Sequence, residues 1–223
     1  MRGSQNILEK YDTAFEYFGV ALKLTIAYQF WTLWYDPQIE DASLIYNLLS
    51  LMTFEFIMVH SGVFMSAFPR KISLLIFVPF YGIFALIFTS IMDDYTILYI
   101  YMFVVFNRMR FAFADVPNWM RARAILISVA AMLIYMALIF VSLFGILPEL
   151  GLNEEYLNAS NFAYVAKTTG EFVDYPYKAI SFGFLYHIAL ALLEGYMIIR
   201  SNSDGDIEEP KPEPIKRKRR YER

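Results

Sequence analysis

The chain reads as an all-α integral membrane protein, a bundle of six transmembrane helices with both termini cytoplasmic. Three observations predict this: an apolar composition, its arrangement in blocks, and connections that alternate in charge. Of 223 residues, 58% are hydrophobic and 18% aromatic, more apolar than an ordinary soluble domain. A helix needs about 20 mostly apolar residues, at about 1.5 Å rise each, to cross a hydrocarbon core about 30 Å thick. Inside that core only helices or closed barrels satisfy the backbone.

After a cytoplasmic segment, residues 1–17, the blocks are Phe18–Tyr35, Leu44–Phe68, Ile72–Met92, Tyr95–Phe113, Ala124–Leu147 and Ala179–Ile199. The first carries Lys23, and its N-terminal flank holds Glu9, Lys10, Asp12 and Glu16 without a small-residue cleavage site, so it reads as a retained helix. The second holds Glu55 and His60. The third contains Pro79, which predicts a kink. Asn107, Arg108 and Arg110 crowd the inner end of the fourth, while the fifth is an uncharged run. The sixth holds His187 and Glu194. Five spans is the alternative, with the first or fourth block lying in the interface.

Charge orients the bundle. The connections hold in turn Asp36, Glu40 and Asp41; Arg70 and Lys71; Asp93 and Asp94; Arg108, Arg110, Arg121 and Arg123 against Asp115; and a mainly acidic segment, 148–178. Lysine and arginine concentrate on the cytoplasmic side, so basic connections are inner and acidic ones outer. Five spans would put basic groups on both faces. Trp31, Trp34 and Tyr35 suit the outer interface and Trp119 the inner one.

The outer segment is long for a bundle loop, and a short helix is expected near Glu154–Phe162. Asn158, Ala159 and Ser160 form a glycosylation sequon that matters only in a eukaryotic secretory pathway. Residues 200–223 mix acids and prolines before Lys216, Arg217, Lys218, Arg219 and Arg220, which predicts a disordered tail. Its basic run suits anionic lipid better than nucleic acid. With no cysteine, disulfides, thiolate-held Fe–S clusters and covalent c-type haem are excluded. No cofactor is predicted, and no repeat, phosphate loop or hydrolase motif is present.

Ionisable residues inside membrane spans are costly and need a reason. Lys23, Glu55, His60, Arg110, His187 and Glu194 form the candidate polar network. Counted from outer ends at Leu44, Asp94 and Lys178, residues His60, Arg110 and Glu194 each lie about 24 Å deep and predict one inner layer. Glu55 and Lys23 lie at about 16.5 and 18 Å, which predicts an ion pair between adjacent spans. His187 and Glu194, seven residues apart, share a helix face, whereas Glu55 and His60 diverge.

These features point to a structural or accessory subunit of a membrane complex, in contact with the bilayer and with a second copy or a partner subunit. A small proton- or ion-coupled transporter using the Glu and His side chains is the alternative. An intramembrane enzyme with a metal on His60, His187, Glu55 and Glu194 is the second alternative. The expected location is the plasma (inner) membrane.

Overall fold

The computed structural model describes residues 7–91, 99, 102, 118–166 and 168–205. Arg110, nearly all of the fourth block and the basic tail with Lys216, Arg217, Lys218, Arg219 and Arg220 lie outside them.

The described elements are helical throughout: α1 (Ile7–Tyr35), a 3-10 turn (Ile39–Asp41), α2 (Ala42–Ala67), α3 (Arg70–Ile91), α4 (Asn118–Leu143), α5 (Glu154–Ala159), α6 (Phe162–Ala166), α7 (Glu171–Asp174) and α8 (Pro176–Gly205). Three stretches are long and apolar enough to cross a membrane: Ile39–Ser61, Ala122–Leu143 and Pro176–Arg200. They correspond to the second, fifth and sixth apolar blocks. Lys71–Phe84, within α3, is apolar but shorter.

Long helices form here because the blocks are rich in Leu, Ile, Phe and Ala and interrupted by few breakers. Pro79 sits inside α3, where it removes one ladder bond. α8 opens on Pro176, whose missing N–H falls where a helix has no internal acceptor to use it. The outer segment holds three short helices. The Asn153 side chain accepts the backbone N–H of Tyr156 at 3.0 Å to cap α5, and Glu154 and Glu155 complement the positive end of its dipole.

α1 packs along α8 in antiparallel register. From the end of α1 toward its middle the contacts are Trp34 and Trp31 on Phe184, with ring centroids 6.0 and 5.3 Å apart, then Phe30 stacked on His187 at 5.5 Å, then Lys23 on Glu194. Gly183 permits the approach, because a Cβ there would lie 2.4 Å from Phe30 Cε1. α4 is also antiparallel to α8: the Ser142 hydroxyl donates to the Lys178 carbonyl where α4 ends and α8 begins, and Tyr135 packs edge-on against Phe182 and Tyr186 further along α8. α2 fills the remaining side, with Ile45, Leu48, Met52, Phe54, Met58 and Val59 in the core. α3 attaches to α2 through Phe54–Phe84 ring contact and a 2.6 Å hydrogen bond between the Ser61 and Tyr81 hydroxyls.

The loop after α4 folds back onto the end of α1. Trp34 Nε1 donates to the Pro148 carbonyl at 2.9 Å, and the Gly151 N–H donates to the Trp34 carbonyl at 3.0 Å. The Tyr156 hydroxyl donates to the Gln38 carbonyl at 3.1 Å. Leu152, Tyr156, Phe162 and Ala166 then carry the apolar core up into this cap.

Candidate functional site

The intramembrane polar side chains distribute over the seams of the bundle. Glu55 is 6% exposed, and its Oε1 accepts the Tyr186 hydroxyl at 2.9 Å. This bond spans the α2–α8 seam. Tyr186 is fully buried, and its ring stands edge-on to both Tyr135 and His187, with centroids 5.2 Å away in each case. The Tyr135 hydroxyl donates to the Met52 carbonyl at 2.8 Å, tying α4 to α2 one turn above Glu55. That carbonyl belongs to the α2 backbone, so the bond lends a second donor to a helical acceptor.

Lys23 pairs with Glu194 rather than with Glu55. Its Nζ lies 2.8 Å from Glu194 Oε2 and 3.4 Å from the Gly19 carbonyl, and both side chains are about four-fifths shielded. The expected Lys23–Glu55 pair assumed that consecutive spans are neighbours. α1 instead lies on α8, the last helix, which presents Glu194 at the level of Lys23.

Of the expected layer of His60, Arg110 and Glu194, Arg110 lies outside the described residues and Glu194 is engaged by Lys23. His60 turns onto its own helix. Its Nδ1–H donates to the Phe56 carbonyl at 2.7 Å, and its ring lies 4.3 Å from that of Phe56. His187 behaves alike, with Nδ1–H donating to the Gly183 carbonyl at 2.8 Å. A carbonyl only accepts, so both neutral imidazoles carry their proton on Nδ1. His187 does share a face with Glu194, but it occupies the Phe30 contact one layer higher. Among the described residues no three His, Asp or Glu side chains converge into a cluster able to hold a metal ion.

Two pairs mark the ends of the bundle. Toward the end opposite the cap, Arg123 Nη1 lies 3.0 Å from Glu16 Oε1, joining α4 to α1. At the capped end Lys178 Nζ donates to Glu171 and to the Leu143 carbonyl at the end of α4, beside the Tyr175 ring. A cation there complements the negative end of the α4 dipole. Sequence reading placed Lys178 only as a boundary and passed over Tyr186 and Tyr135, because a tyrosine in an apolar block signals packing or an interface before it signals a polar partner.

No family model matches the chain, and no match emerges among curated proteins or solved structures.

Proposed function

We propose that the protein is a multi-pass membrane subunit whose intramembrane polar side chains hold its helices together, serving a structural or accessory role in a membrane complex. The observation that carries this reading is the engagement of ionisable side chains across helix seams: Lys23 with Glu194, Glu55 with Tyr186, and Arg123 with Glu16. A charge at a span centre costs about 2.5–3.5 kcal/mol on insertion scales, which a partner on another helix offsets. Such bonds select the correct neighbour, because the wrong helix leaves both groups unsatisfied.

The antiparallel packing of α1 on α8 supports the topology as well. If both cross the bilayer and crossings alternate, the number of spans is even, which favours six over five and puts both termini on one face. The charge pattern makes that face the cytoplasmic one, in the plasma (inner) membrane. The basic run from Lys216 to Arg220 would then contact anionic lipid headgroups.

Purification from the native membrane under mild detergent tests the role. A partner subunit recovered in fixed proportion supports it; a homogeneous single chain with pH-driven flux in liposomes overturns it. That flux belongs to the second reading, a proton- or ion-coupled carrier, favoured by the buried Glu55–Tyr186–His187 contact near the bilayer centre. On that reading Glu55→Gln abolishes flux, whereas on the first it alters stability alone.

A further inference from the structure

α1 differs from the other long helices of the core. It is not among the three stretches apolar and long enough to cross a membrane by themselves, and it brings Lys23 into the middle of the apolar block. Its packing is given almost wholly to α8, through Trp31, Trp34, Phe30 and Lys23. The ammonium of Lys23 meets its counter-charge 171 positions later. A helix synthesised well before α8 therefore acquires the partner for its charge only when α8 is in place.

We infer that α1 is a conditional span: it holds its place across the bilayer because α8 neutralises Lys23 with Glu194 and receives Phe30 at Gly183, and it separates from an otherwise intact bundle when that pairing is broken. This rests on the structural reading of the polar pairs. Two features make separation local. The core formed by α2, α4 and α8 has its own connections through Tyr135–Met52, Tyr186–Glu55 and Ser142–Lys178. Away from α8, α1 is tethered toward its two ends, by the bonds of Trp34 and Gly151 and by the Glu16–Arg123 pair with α4, which leave its middle to α8.

The chain has no native cysteine, so a disulfide can report docking without background. Ala27 and Leu190 are both buried, and they lie midway in register between the Phe30–His187 and Lys23–Glu194 contacts. The full-length Ala27→Cys, Leu190→Cys protein in native membranes should crosslink readily under mild oxidation. Adding Glu194→Gln should slow crosslinking by about tenfold while the protein still elutes as a folded particle in detergent, the shift expected when a two-state docking equilibrium loses its ion pair. Adding Lys23→Met to that variant should restore the rate, since no unpaired charge then opposes insertion, and Lys23→Glu with Glu194→Lys should restore it too. Unchanged crosslinking in Glu194→Gln overturns the proposal. So does failure of Lys23→Met to rescue, or loss of the folded particle, which would show that the pair holds the whole bundle. Partner recovery is scored separately, so a failed crosslink and a missing partner subunit are distinct results.

Discussion

Phe30 occupies the volume that any side chain at position 183 would need, and this makes Gly183 the tightest constraint in the α1–α8 seam. Gly183→Ala should lower stability by about 1–3 kcal/mol, the usual cost of overpacking a well-filled contact. Thermal unfolding in detergent measures it, and Phe30→Leu in the same chain should recover part of the loss; simple additivity would show that the two residues do not meet. Tyr186→Phe removes a donor from a buried carboxyl group and should cost about 1–3 kcal/mol. Glu55→Gln, whose amide oxygen still accepts, should cost less. Equal losses by chemical unfolding would show that the Glu55 charge outweighs the hydrogen bond. At this scale the sequence was a good guide to which residues matter and a poor one to what they touch. Lys23 and Glu194 both stood out as charges in apolar blocks, yet their depths, counted from different helix ends, differed by about a turn, and a long lysine side chain bridges such a difference.

Helix positions were more legible than helix neighbours. The block 44–68 emerges as Ala42–Ala67, and 72–92 as Arg70–Ile91, because apolar run length is a local property of the chain. The first helix begins at Ile7, well before the apolar block, since charged residues continue a helix once it has left the hydrocarbon. Which helices adjoin depends on surfaces far apart in sequence, and no periodicity in α1 names α8 as its partner. The cap makes its own tests. Gly151 is pressed against Pro37 Cδ and the Tyr35 carbonyl, at 2.3 and 2.7 Å from an added Cβ, so Gly151→Ala should lift the outer segment and raise its protease sensitivity while the bundle melts at nearly its original temperature. Burial raises the Tyr156 phenol above its ordinary value of 10.0, the charges of Asp41 and Glu40 add to this, and a hydrogen bond with Ser160 opposes it. The folded phenol thus keeps its proton where the unfolded one has lost it. Stability should be unaffected below about pH 10 and fall above it, and Tyr156→Phe should remove that part of the alkaline loss in a pH series of melts.

For the molecule as a whole, the antiparallel pairing of α1 with α8 gives the most direct prediction. Reporters fused to the N-terminus and the C-terminus should both read as cytoplasmic, and opposite readings would require an odd number of spans. The helical character of the described residues and their three membrane-length stretches follow from composition and block length. The assignment of interior charges to partners required the packed structure, in which the last helix serves as a common wall for α1, α2 and α4.

α1 begins and α8 ends at the same end of one antiparallel helix pair. A linker joining Gly205 to Ile7 would span only that end, and new termini could be opened at the extended residue Phe68 between α2 and α3. In such a circular permutant Lys23 and Glu194 belong to consecutive helices joined by a loop, so α1 would be made directly after its partner instead of long before it.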